Sequence, residues 1–410
     1  MAADLREAVL DRLKTIYPPA PAETVPVPAP ANDSREKSGK GNIVSGGLVS
    51  DIFIADGQVF FAITVPADKA ALWESTRRQA AAEVEKLAGV NRVFASLTAE
   101  KKSAAADTRP HGEGRSSFAA RPVPGRSAPK LPGQQTTVKQ PLPGVRHIIA
   151  VASGKGGVGK STIAVNLAAA LQANGLKTGL LDADIYGPSL PRLTGLAKPQ
   201  GEDIVHFHDK KLIPLQHYGL KLMSMGFLVE AEAPLVWRGP MVMAAVNQLL
   251  HDVLWAPLDI LVVDMPPGTG DAQLTLAQKV PLAGAIIVST PQELALSDAR
   301  KGLAMFAKIH VPILGIIENM SCFIAPDTGR SYHIFGAPDA LGRGGAEQEA
   351  ARRNVPFLGA LPLDPELGRT AERGVPLVIS HKTHQLTQIY RQIAANIMRQ
   401  LHLPLPAEGA

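Results

Sequence analysis

Cysteine is almost absent: Cys322 is the single thiol in 410 residues. No disulfide can close within one chain, and no CxxC zinc or redox motif can be built from it. Long apolar runs are also missing. No stretch approaches the roughly 20 residues that a membrane helix needs, and the N-terminus, with Asp4, Arg6, Glu7, Asp11, Arg12 and Lys14, lacks a signal-peptide apolar core. A soluble cytoplasmic protein is therefore expected. A basic folded face is lacking as well, despite the pI of 9.2. Residues 101–146 hold nine Lys/Arg against two Asp/Glu, and the remaining chain 33 against 35. The excess sits in one Pro/Gly/Ser-rich segment, so neither a nucleic-acid nor a membrane partner is expected. What is present suffices for sizeable cores: 45% hydrophobic and 19% charged residues. At about 150 residues per domain, two or three domains are expected.

Along the chain, Leu5, Val9, Leu13 and Ile16 have helical spacing before Pro18, Pro19 and Pro21 end the helix. Residues 18–40 read as a flexible insertion. Apolar runs on either side of Asp56-Gly57 predict a hairpin over 48–65. A helix follows over 68–87, with Leu72, Thr76, Ala80, Val84 and Leu87 on one face, and then a strand over 91–97. Residues 1–98 thus form a small α+β domain, and 99–144 a disordered linker. From 145 to 402 the texture changes to short apolar β-type runs alternating with helical stretches. This pattern predicts an α/β domain with a mostly parallel sheet covered by helices on both faces.

That domain opens on Gly154-Lys155-Gly156-Gly157-Val158-Gly159-Lys160-Ser161, the spacing G-x-x-x-x-G-K-[ST] between a predicted strand and helix. Glycines let the backbone turn tightly and aim its N–H groups inward, and the helix N-terminus adds positive potential for polyphosphate. The expected nucleotide-binding residues are Gly154 through Ser161 together with Thr162. Lys160 would serve the β- and γ-phosphates and Ser161 the Mg²⁺. Asp182, Asp184 and Asp264 end two β-runs, where the ligand crevice of such a sheet lies. Asp264 reads as the carboxylate holding Mg²⁺ through water, and Asp184 as the residue orienting the attacking water. Asp182 is either a second Mg²⁺ neighbour or a helix cap. Lys160 and Asp184 are the expected catalytic residues, to which the family resemblance that follows adds Lys155.

Ser153 to Thr162, Asp182 to Ser189, Trp237-Arg238-Gly239-Pro240, Asp264 to Asp271, Thr290-Pro291-Gln292-Glu293 and Glu318-Asn319-Met320-Ser321 together resemble the Mrp/ApbC iron–sulfur cluster carrier ATPases over about 145–400. The N-terminal unit looks like the small iron–sulfur assembly domain that often precedes this ATPase. The resemblance implies a SIMIBI-class P-loop fold, ATP and Mg²⁺ as cofactors, and ATP hydrolysis. It further implies a homodimer in which Lys155 crosses to the partner's nucleotide, and Asn319 at the adenine edge. Its cargo would be a labile Fe–S cluster, loaded and passed to apo iron–sulfur proteins in company with assembly factors.

One departure stands out. Where the family shows C-x-x-C-G, this chain has Ala325-Pro326-Asp327-Thr328-Gly329. A cubane cluster is normally held by four thiolates. A dimer of this chain offers two Cys322, so Cys322 is either a labile cluster ligand, helped by His333, small thiols or a partner, or a plain half-buried residue. His206-x-His208 is a weaker metal candidate without a third ligand, and Arg238 is either a switch contact or a structural cation. Two other functions fit the P-loop: a cluster-free nucleotide-switch scaffold, and a MinD/ParA-like positioning ATPase. The latter expects a C-terminal membrane anchor or a basic face, and the end Leu403-Pro404-Leu405-Pro406 suits no anchor helix.

Overall fold

Period-two alternation shapes the N-terminal unit of the computed structural model, which describes residues 2–19, 41–50, 52–55, 57–66, 70–100, 141–197, 205–208, 211–229 and 239–405. Helix α1 (Ala2–Leu13) precedes β1 (Phe53–Ala55) and β2 (Gln58–Pro66), an antiparallel hairpin turning at Gly57; α2 (Ala70–Val84) then leads to β3 (Arg92–Glu100), parallel to β2. Along β2 the side chains divide strictly. Val59, Phe61, Ile63 and Val65 face the unit's own core with Val9, Leu13, Trp73, Ala80 and Val84. Leu72, expected on the buried face of α2, is exposed, and Trp73 is buried instead. The expected insertion and linker fall mostly on 20–40 and 101–140, outside the described residues. Strand β3 runs two residues past the expected boundary at 98, and Leu142 already belongs to the second core.

The second unit starts with β4 (Val145–Ser153), α3 (Lys160–Ala173), β5 (Thr178–Asp182) and α4 (Leu190–Leu193). Four short strands follow: β6 (Phe207–His208), β7 (Lys211–Leu212), β8 (Leu215–His217) and β9 (Leu220–Ser224). Then come α5 (Gly239–His251), β10 (Leu258–Asp264), α6 (Asp271–Lys279), β11 (Gly284–Ser289), α7 (Glu293–Lys308), β12 (Ile313–Ile324) and β13 (Ser331–Tyr332). The end is α8 (Gly345–Arg353), β14 (Phe357–Leu363), α9 (Pro365–Glu372), α10 (Leu377–Ser380) and α11 (Gln385–Gln400). The sheet runs β14-β12-β11-β4-β10-β5-β9-β8, with β13 also paired to β12; only β8 and β13 are antiparallel to their neighbours. Strands β4, β5, β10 and β11 are buried on both faces, which is why they read as unbroken apolar runs.

Helix α3 is buried almost all round, its alanines 164, 168, 169 and 170 allowing close approach to the sheet on one side and to α10 and α11 on the other. Its buried Asn166 is satisfied at both ends: Nδ2 donates to the Thr162 carbonyl (2.9 Å) and Oδ1 accepts from Val378 N (3.2 Å). Among the described residues no helix is long and apolar enough to cross a membrane.

The two units share apolar surface. Phe60, Ala62 and Phe94, on the outer face of the small sheet, join the large core, and the Phe60 and Phe94 rings stack with centroids 4.3 Å apart. Polar bonds frame the contact: Gln58 Nε2 donates to the Leu228 carbonyl (3.3 Å), and Arg92 pairs with Asp252, just past the end of α5 (3.1 Å). Phe60→Ala removes one half of this stack. Denaturant unfolding of the full chain is expected to show a loss of about 3–5 kcal/mol, the usual cost of emptying a buried aromatic site.

Candidate nucleotide site

The carboxyl end of β4 delivers the chain into the glycine loop, and Lys160 begins α3. Two glycines are sterically required. A Cβ on Gly154 would lie 2.2 Å from the backbone carbon of Asp298 in α7, and Gly159, at φ 83°, would place one 2.3 Å from Asn319 Nδ2. At Gly156 and Gly157, by contrast, a Cβ meets open space, the side on which a ligand can approach the loop. Ser153 Oγ closes the loop's base by donating to the Lys155 carbonyl (2.8 Å).

Lys160 is buried and its ammonium pairs with the Asp264 carboxylate. Lys160 Nζ also donates to Ser161 Oγ (3.2 Å), and the Ser161 hydroxyl bonds Asp264. Parallel register sets Asp264 level with Val151 of β4 and Asp182 of β5, so β10 and β5 bring two carboxylates side by side. Burial raises Asp264 above the ordinary carboxylate range, and the charge of Asp184 adds to it; Lys160 and Ser161 work against both.

Asp182 and Asp184 take different parts. Asp182 is wholly buried; its Oδ1 accepts from Asp184 N and its Oδ2 from Ser189 N, Leu190 N and Ser224 Oγ, each at 3.1 Å. Its oxygens are thus engaged in capping α4 and tying β5 to β9, the cap alternative of the sequence reading. Asp184 is only half-buried and accepts from Gly187 N (3.3 Å), leaving most of its acceptor capacity open.

Asn319 lies midway along β12, buried, and its Nδ2 donates to the Val158 carbonyl (2.9 Å), bracing the glycine loop from behind. Its neighbour Glu318 accepts from Ala346 N (2.7 Å) and fixes the start of α8; burial raises its pKa. Sequence reasoning passed over this second role, although E-N-M at a strand end was visible. Lys155 is half-buried, and its ammonium has no hydrogen-bond or ion-pair partner among the described residues.

Cys322 sits away from these groups, half-buried in the extension of β12 beyond Met320, whose positive φ of 56° marks a break in register with β14. Residues 325–329 form the tip of the β12–β13 hairpin, closed by Gly329 N to the Ala325 carbonyl (2.7 Å) and Ala325 N to the Arg330 carbonyl (3.0 Å). His206 and His208 are exposed at the small β6–β7 hairpin. Among the described residues no group of three or more His, Cys, Asp or Glu is placed to hold a metal ion. Trp237 and Arg238 lie outside the described residues.

A glycine loop between strand and helix, with a buried lysine–aspartate pair at the carboxyl ends of a parallel sheet, defines a P-loop nucleotide-binding domain. Residues 144–398 match the family described as NUBPL iron-transfer P-loop NTPase, and residues 38–96 match one described as iron–sulfur cluster assembly protein. The chain belongs to the NUBPL iron-transfer P-loop NTPase family. It is 51% identical over 268 residues to an iron–sulfur protein required for NADH dehydrogenase, mitochondrial, of Arabidopsis thaliana, covering 65% of this chain and 82% of that one. To an iron–sulfur cluster carrier protein of Synechocystis it is 41% identical over 369 residues, 87% of this chain and 92% of the relative. Among solved structures, a nucleotide-binding protein of Archaeoglobus fulgidus in complex with ADP superposes with TM-score 0.50 at 36% identity, covering 60% of this chain and 92% of that one.

Burial, with Asp264 beside it, pushes the Asp182 carboxyl up to about 7 from 3.8, against its backbone donors and Lys160. A carboxyl raised in the native state binds more protons folded than unfolded, so its contribution to stability is full below about pH 4 and is lost as the pH rises through about 7. Thermal unfolding of the nucleotide-free protein across that window is expected to show the parent losing ground to Asp182→Asn as pH rises. A pH-independent difference would contradict this.

Proposed function

We propose that this chain is an ATP-hydrolysing assembly factor that works as a homodimer, takes an Fe–S cluster as cargo and passes it to apo iron–sulfur proteins. The observation that carries the reading is the buried Lys160–Asp264 pair behind an open glycine loop, in a chain related over both of its units to an iron–sulfur cluster carrier protein. Two opposite charges taken out of water are a costly way to stabilise a fold. They make chemical sense where a polyphosphate and a divalent cation are to be received, and this donor set fits both.

Backbone N–H groups from Gly154 to Ser161 would cradle the phosphates, with Thr162 beside them, while Lys160 turns from Asp264 toward the β- and γ-oxygens. Ser161 and Asp264 would hold Mg²⁺, which supplies charge neutralisation when bound. Asp184, with spare acceptor capacity, orients the attacking water, whereas Asp182 holds the loop. Asn319 braces the glycine loop through Val158 and lies close enough to that loop to serve the adenine edge as well. Lys155, with no partner among the described residues, is free to cross to the second subunit's nucleotide and stabilise the charge that develops during transfer.

A second reading, a nucleotide-switch scaffold that carries no cluster, is favoured by the single thiol and by the hairpin tip at 325–329 that offers no thiolate. Anaerobic reconstitution with iron and sulfide separates the two. A carrier is expected to gain visible absorbance that Cys322→Ala loses; a parent chain that stays colourless supports the scaffold.

For the dimer, Lys155→Ala is expected to bind nucleotide, to remain a single subunit by light scattering with ATP, and to turn over about 10²-fold more slowly, the typical loss for one electrostatic contact to the reacting charge. Parent-like hydrolysis by a monomeric variant would refute the shared-lysine arrangement.

A further inference from the structure

The segment between β9 and α5 touches both the small domain and the catalytic loop. Ser224 ends β9 and caps a single 3-10 turn, Met225–Phe227, by accepting from Gly226 N (3.1 Å). Its hydroxyl at the same time donates to Asp182 Oδ2 (3.1 Å). Asp182 in turn holds the backbone N–H of Asp184 and the start of α4 at Ser189 and Leu190. Packing duplicates the polar link: a Cβ on Gly226 would lie 2.8 Å from Pro191 and 3.2 Å from Pro188, so the turn rests directly on the segment after Asp184. At its far end the turn is closed by Leu228 N to the Met225 carbonyl (2.9 Å), and the Leu228 carbonyl accepts from Gln58 of the small domain. Gln58, Leu228, Met225, Ser224, Asp182 and Leu190 on this route are buried, whereas Gly226, Asp184, Pro188 and Ser189 are half-buried.

We propose that the small N-terminal domain controls the nucleotide site through residues 224–228: when it is seated, Gln58 fixes the turn, the turn fixes Ser224 and Asp182, and these hold Asp184 where it can orient water. When the small domain shifts, the same chain of contacts loosens and Asp184 leaves that position. Asp182, Ser224 and Gln58 are then positioning residues, none of which touches the nucleotide. The seat itself has an apolar centre, Phe60 and Phe94, and one ion pair, Arg92–Asp252. To transmit binding at the small domain to residues 183–193, this seat must have a second, released position. This inference rests on the role given to Asp184 above, and goes beyond it in assigning the small domain a regulatory part.

The test compares the full-length parent with Gln58→Leu, Ser224→Ala and the double variant. Amide hydrogen exchange across residues 183–193 and steady-state ATP hydrolysis are both read. Each single variant is expected to speed exchange at Asp184, Ser189 and Leu190 while leaving β4 and α3 protected. Each is also expected to lower kcat about three- to tenfold with KM little changed, the range for removing one link of a packed network. The double variant should fall no lower than Ser224→Ala, because both changes cut one route. If Gln58→Leu lowers protection throughout the chain, Gln58→Met, which keeps the length and loses the amide, replaces it. Parent-like exchange at 183–193 in the Gln58 variant, or a double variant whose loss is the product of the two single losses, overturns the proposal. A parent without turnover would instead count against the ATPase reading, and the exchange measurement would still decide this one.

Discussion

The Lys160–Asp264 pair is the constraint around which the nucleotide domain is arranged. Each charge left alone in that interior would cost several kcal/mol, and the pairing only partly offsets this. Burial raises Asp264 toward its neutral form, and it stays useful as a carboxylate because Lys160 and Ser161 both bond it. The surroundings supply the rest of the compensation. Helix α3 is sealed between the sheet and α11, so Lys160 cannot reach bulk water, while the glycine loop in front of it stays open. A buried charge pair facing one open side acts as a receptor for polyphosphate.

A division of labour among three carboxylates follows from their surroundings. Asp182 and Asp264 sit in register on neighbouring strands, and Asp184 lies two residues beyond Asp182. Asp182 gives its oxygens to the protein, Asp264 to the lysine, and Asp184 keeps its own available. Two like charges so close cannot both ionise freely, and the group with the most backbone donors takes the structural role. Behind them, Asn319 and Glu318 fasten the middle of β12 to the glycine loop and to α8, so the back wall of the site is tied down where the front is open.

Much of the fold was legible in the sequence because parallel strands buried on both faces leave an unmistakable apolar signature and the glycine motif marks the strand-to-helix junction. The Asp56-Gly57 hairpin was equally plain. The edge strands β8 and β14 were not read: β8 is brief and mixed in polarity, and β14 is interrupted by Gly359 and Pro362. On α2, Thr76, Ala80 and Val84 are buried as read, but Trp73 takes the place expected for Leu72, since both are apolar and only docking selects between them. The double use of β2 was hidden for a related reason. Val59 and Phe60 look alike in the sequence, yet one serves the small core and the other the large one.

Residue spacing alone determined the glycine loop, its lysine and serine, the acidic strand ends and the lack of a second thiol, because these depend on local backbone geometry and on chemical type. Tertiary structure decided which aspartate is engaged and which is available, that Asn319 braces the loop, and that Gln58 of the small domain bonds the Leu228 carbonyl of the large one. Those outcomes depend on strand register and on contacts between residues up to about 170 positions apart, and local sequence carries no record of either.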